Sequence, residues 1–282
     1  MLILLKQSVN NSIIMNRKEE NKHLNKEWKQ INFHLNAFLE TGNQEELHRF
    51  RVQIKKLKAM LTMFQHGNKR QVLLKNFKPI AKIFKLAGNI RDAHTNMLLK
   101  EKYNIKNDLF EEGQQKIIEN GISQFKEKGS KYLKRIKEVQ ADIKKNLSNI
   151  EDKAIADFYK IKLEIIAKKL AVPNFNEDMH YNRKIIKTLV YNHKLANKAL
   201  NGIVTINSEY LDKLQDVIGE WHDNIIAAQL FATTELNDKT IVTKIKRKNT
   251  SVKKNILDLA TNFLQKATLA EADVLEKQVE PV

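Results

Sequence analysis

Apolar residues recur along this chain in alternating steps of three and four, the spacing of one buried helix face. Leu47, Phe50, Ile54, Leu57, Leu61 and Phe64 follow that rule, predicting a helix over about 44–66 that stops at His66-Gly67-Asn68. Leu24, Trp28, Ile31, Leu35 and Phe38 or Leu39 predict another over 20–40, ended by Thr41-Gly42. Leu73, Leu74, Phe77, Ala81 and Phe84 continue the pattern, and Pro79 within it predicts a kink or a fresh start. Leu86 to Asp92 reads as a break, with a new helix from Ala93. The lysine-rich stretch 111–147 is amphipathic but weakened at Gly113, Gly121 and Gly129, and a helix over about 151–171 ends at Ala171-Val172-Pro173-Asn174. Residues 237–254 carry a basic run (Lys244, Lys246, Arg247, Lys248, Lys253 and Lys254) ahead of a last amphipathic helix.

Composition agrees with helix throughout. Eight Gly and three Pro in 282 residues leave little material for tight-turn β architecture, so the fold class is all-α. The absence of Cys excludes disulfides and thiolate metal sites. Met1 to Leu5 is too short for a signal h-region, and no apolar run reaches the roughly 18 residues that span a bilayer, so a cytoplasmic location is expected. Residues 1–18 read as a flexible leader and 271–282 as a polar tail. A net charge of +17 calls for an anionic partner: nucleic acid, anionic lipid or another polyphosphate.

That charge is patterned. His48, Arg51, Lys55 and Lys58 repeat the apolar steps one residue further on, and fall within an arc of roughly 80° beside the buried face. No acid interrupts them between Glu46 and Met60. They span about 15 Å of helix, enough for several linked phosphates. Arg51 can fork across two oxygens, Lys55 and Lys58 act as point charges, and His48 gains a proton more readily beside phosphate. Alone, such a stripe is commonly just a solvated face. However, His-x-x-Arg-x-x-x-Lys returns at His180, Arg183 and Lys187, 132 residues after His48, with Lys194 further along the same face. Gly88 follows His48 by 40 residues and Gly219 follows His180 by 39. Matched spacing of two features predicts an internal duplication, with halves 19–150 and 151–270.

Lys78, Lys82 and Lys85 form a second basic stripe that could wall a groove opposite the first, or simply solubilise its helix. Arg91 could fork onto the anion or pair with Asp92 to fix the turn. The other histidines show no zinc-helix spacing, and neither a Gly-rich phosphate loop nor a nucleophile beside a base is present. No catalytic residue, metal site or cofactor is expected, and the protein is read as a binder rather than an enzyme.

The chain resembles the CHAD family, α-helical domains with two copies of His-x-x-Arg-x-x-x-Arg/Lys-Arg/Lys-x-Arg, each followed by a Leu-Gly-x-x-Arg-Asp-like turn. The first copy here is His48, Arg51, Lys55, Lys56 and Lys58, then Gly88 to Asp92; the second is His180, Arg183 and Lys187, then Gly219 to Asp223. The resemblance implies two pseudo-symmetric four-helix bundles with a basic groove or pore between them. It implies inorganic polyphosphate as partner, bound without catalysis, and association with polyphosphate granules. Nucleic acid is the alternative partner, and a basic scaffold for anionic membranes or proteins, acting through 244–254, is a third reading. The second copy departs from the pattern: Thr188, Val190 and His222 stand where the first has Lys56, Lys58 and Arg91. Residues 43–100 carry net +10 and the equally long window 174–231 carries −1, so the first half is expected to dominate binding.

Overall fold

A computed structural model describes residues 17–67, 72–201 and 203–268, and every regular element among them is a helix. The expected leader up to Asn16 and the tail 271–282 lie outside the described residues. The first six helices are α1 (Arg17–Thr41), α2 (Gln44–His66), α3 (Leu73–Asn76), α4 (Lys78–Lys102), α5 (Asp108–Glu127) and α6 (Gly129–Asn146). They are followed by α7 (Asp152–Ala171), α8 (Glu177–Leu200), α9 (Ser208–Phe231), α10 (Lys239–Ala260) and α11 (Phe263–Thr268).

Local chemistry sets the helix ends. Gly42 takes φ +71°, a conformation open to glycine at little cost, and lets α1 fold back onto α2. Asn43 caps α2, its side chain accepting from the Glu45 and Glu46 N–H groups at 2.7 and 3.3 Å. Pro79 stands in the first turn of α4, where a missing N–H costs nothing, so it produces the fresh start. Gly129 opens α6, whereas Gly113 and Gly121 sit inside α5.

Two expectations about breaks are corrected. Residues 86–92 are an uninterrupted part of α4, and 219–223 lie inside α9. A glycine within a helix costs about 1 kcal/mol relative to alanine, which tertiary packing readily offsets. The basic run at 244–254 is itself helical, forming the body of α10, and only the short α11 follows it.

The apolar stripe of α2 is fully used: Leu47, Phe50, Ile54, Leu57, Leu61 and Phe64 are all at most 2% exposed. Burying each such side chain stabilises the fold by about 2 kcal/mol. Helix α2 packs against α1, α4 and α8 in one continuous core, which takes in Trp28 and Phe38 from the first half and Tyr159, Leu189 and Trp221 from the second. The junction between the expected halves 19–150 and 151–270 is packed into this core. Leu147 and Ile150 are buried there, and the Ile150 N–H donates to Glu20 of α1 at 3.1 Å. Across the middle, the Asn192 amide of α8 donates to the Ala59 carbonyl of α2 at 2.9 Å. A smaller cluster of Ala227, Phe231 and Ile245 joins α9 to α10, with Leu99 of α4 and Tyr103 just after that helix packed on it.

Candidate functional site

Each His-x-x-Arg helix holds its arginine in the same way. The Arg51 guanidinium lies on α4: Nη1 donates to the Phe84 carbonyl at 2.7 Å, and Cζ stands 4.1 Å over the Phe84 ring. A Cβ on Gly88 would come within 2.8 Å of that Nη1. On α9, Arg183 Nε donates to the Gln215 carbonyl at 3.1 Å, and a Cβ on Gly219 would meet Nη2 at 2.7 Å. In both cases the accepting carbonyl belongs to the residue four before the glycine. The glycine is thus the place where a guanidinium lies flush against the neighbouring helix, in both pairs. One of five N–H donors of each arginine is committed to that carbonyl; the side chain is fixed in place before any ligand arrives.

Helices α2 and α8 then face one another, with α4 as a side wall, around a cleft of about 380 Å³. Arg51, Lys55 and Lys58 line it from α2, and His180, Arg183, Lys184 and Lys187 from α8. Ile54, Ala59, Phe77, Ala81 and Phe84 give it an apolar floor. No Asp or Glu is among its lining residues.

Burial, with like charge adding to it, lowers the pKa of several basic groups of the cleft. Lys55 still reaches solvent along the cleft, but burial against its wall, then the charges of Arg51, Lys187 and Arg183, lower its ammonium from the ordinary value to about 8. Lys187 is also lowered, first by burial and next by Arg183, while Asp216, Asp212 and Asp223 act in the opposite direction. His180 is lowered by burial and by Lys184 and His222, on whose ring it stacks with centroids 4.3 Å apart. Its Nδ1 is buried without a hydrogen-bond partner.

The remaining sequence candidates fall elsewhere. His48 is exposed beyond the cleft beside Arg91, and partial burial followed by the Arg91 charge lowers its pKa. Arg91 Nη1 donates to the Gln44 carbonyl at 3.2 Å and lies 3.2 Å from His94 Nδ1, tying α4 to the start of α2. Lys56 points away to α1, where its charge acts on Glu27. Lys194 is exposed and outside the lining. Lys78 and Lys82 do not wall this cleft as expected. The α4 face turned to α2 is Ala81 and Phe84, and the two lysines look the other way, toward α6; Lys85 is exposed. Lys184 and Tyr191 line the cleft and were not anticipated. Lys184 directly follows Arg183, but its counterpart in the first half is Val52, so the repeat carried no signal for it.

Among the described residues no helix is long and apolar enough to cross a membrane, and no group of three or more acidic or imidazole side chains could hold a metal ion. A comparison with curated proteins finds no match. Among solved structures, the chain is similar to the crystal structure of the CHAD domain from the plant Ricinus communis, at 14% identity and a TM-score of 0.57 over 96% of each chain. That likeness establishes a shared all-α fold. The family model for the CHAD domain matches residues 22–232, and the chain therefore belongs to the CHAD domain family.

Proposed function

We propose that this protein binds inorganic polyphosphate in the cleft between α2, α4 and α8, as a binder and not a catalyst. The observation that carries the reading is the meeting of six Lys and Arg side chains from two helices in one cleft without a lining carboxylate. Cations gathered this closely repel one another, and a linear polyanion relieves that repulsion. Arginines held against α4 and α9 supply directional donors, while Lys55, Lys58, Lys184 and Lys187 adapt to phosphates at varied positions. Internal duplication, with Arg51–Gly88 and Arg183–Gly219 as equivalent contacts, is the simplest origin of the paired helices. A cytosolic protein at polyphosphate granules fits this binding.

Nucleic acid shares the phosphates, but single strands are also held by aromatic stacking. One face of the Phe84 ring is covered by Arg51, and Phe77 is 2% exposed. Competition calorimetry at physiological salt tests the choice. Long-chain polyphosphate is expected to displace single- and double-stranded nucleic acid when compared per phosphate; preferential retention of either nucleic acid would overturn the proposal.

A further inference from the structure

Helix α4 separates the central cleft from a second one. That outer cleft, about 660 Å³, lies between the first turns of α4 and the first half of α6. Lys78 and Lys82 line it from α4, and Lys131, Lys134 and Arg135 from α6, with Tyr132 beside them. Its single acid, Glu138, is already engaged by Arg135 at 2.8 Å. None of the four lysines has an ion-pair partner among the described residues. Apart from the Arg135–Glu138 pair, the cleft therefore presents cationic side chains with no acid among its lining residues to answer them.

The two clefts lie on adjoining faces of one helix. Going round α4, Ala81 and Phe84 face the central cleft and Lys78 and Lys82 the outer one. The exposed Lys85 falls between them at about 100° per residue. A chain leaving the central cleft need pass over only one helix, about 10 Å across, to reach the second set of cations.

We infer that the α4–α6 cleft is a second phosphate subsite, engaged by the same polyphosphate chain that occupies the central cleft, and that it selects for long chains. The inference rests on the polyphosphate reading above. A short oligophosphate fills one cleft alone. A long one engages both, the second contact being intramolecular and therefore at high effective concentration.

The test measures triphosphate and long-chain polyphosphate binding to the full chain and to a Lys82→Ala/Lys134→Ala variant, across a salt series, with circular dichroism as a check on folding. Long-chain affinity should fall about tenfold, with the salt slope smaller by about two, as expected for two lost phosphate contacts. Triphosphate affinity at the central cleft should stay unchanged. If the unaltered protein binds long chains but the variant matches it in affinity and slope, the outer subsite is refuted and the central reading survives. Equal loss for triphosphate and long chains also refutes it, because length selection is then absent. If the unaltered protein binds neither, the polyphosphate reading itself fails and this inference with it.

Discussion

The α2–α4 and α8–α9 pairs share a skeleton and differ in charge. Arg51 and Arg183 each lie over a glycine and donate to the carbonyl one turn before it. Around Arg51 the neighbouring α4 positions are Ala81 and Lys85, whereas the corresponding positions of α9 are Asp212 and Asp216. These aspartates accept from the Gln215 amide at 2.9 and 2.5 Å, and their charges act on Lys187. The second half therefore sets acids beside its own Lys187, while Lys55 is lowered to about 8, chiefly by burial and then by Arg51, Lys187 and Arg183. A backbone arrangement can thus be kept while its electrostatic strength is divided unequally.

Removing charge from each side should expose the inequality most strongly. Arg51→Ala with Lys55→Ala is expected to weaken polyphosphate binding on the order of 100-fold, since two charge-assisted contacts are lost. Arg183→Ala with Lys187→Ala should cost about tenfold, because nearby aspartates already compete for those cations. Calorimetry on both pairs, with helical content checked, reads the ratio; equal losses would mean that the two halves contribute alike. In the opposite direction, Asp212→Asn with Asp216→Asn should raise affinity about threefold at low salt, by removing the acids that compete with phosphate.

Protonation gives a third handle. In the free protein Lys55 loses its proton as pH rises through about 8, so polyphosphate affinity should decline between pH 7 and 9. Lys55→Arg keeps its charge over that range and should flatten the decline. A profile unchanged by Lys55→Arg would show that another group sets it. The smallest effect concerns stability. Because the folded-state pKa of Lys55 is below its ordinary 10.5, the unfolded chain binds more protons between about pH 8 and 10.5, and stability contributed through this group rises with pH there. Below that window the charged lysine opposes folding. Lys55→Met should therefore raise the melting temperature at pH 7 by about 2 °C while lowering affinity, roughly 1 kcal/mol after allowance for solvent screening. Loss of both stability and affinity would instead make Lys55 a packing residue.

Much of this was readable from periodicity. Arg51, Lys55 and Lys58 on α2 and His180, Arg183 and Lys187 on α8 come to one cleft because a 3.6-residue repeat fixes which side chains share a side, whereas His48 and Lys194 at the ends of the stripes lie outside it. What periodicity does not give is the neighbour each face meets. Lys78 and Lys82 share a stripe as expected, yet α6 rather than α2 lies opposite them. Lys56 shares the basic run but meets Glu27 of α1. Gly88 and Gly219 read locally as breaks, because their reason is an arginine from another helix, distant in sequence. Lys184 has no repeated partner, so the pattern that revealed Arg183 passed over the next residue.

The location of binding can be tested by amine-reactive footprinting, comparing lysine modification by mass spectrometry with and without saturating long-chain polyphosphate. Lys55, Lys58, Lys184 and Lys187 should be protected severalfold, while Lys246 and Lys254 on α10 react as before. Protection confined to α10, with the four cleft lysines unaffected, would contradict a polyphosphate site between α2, α4 and α8.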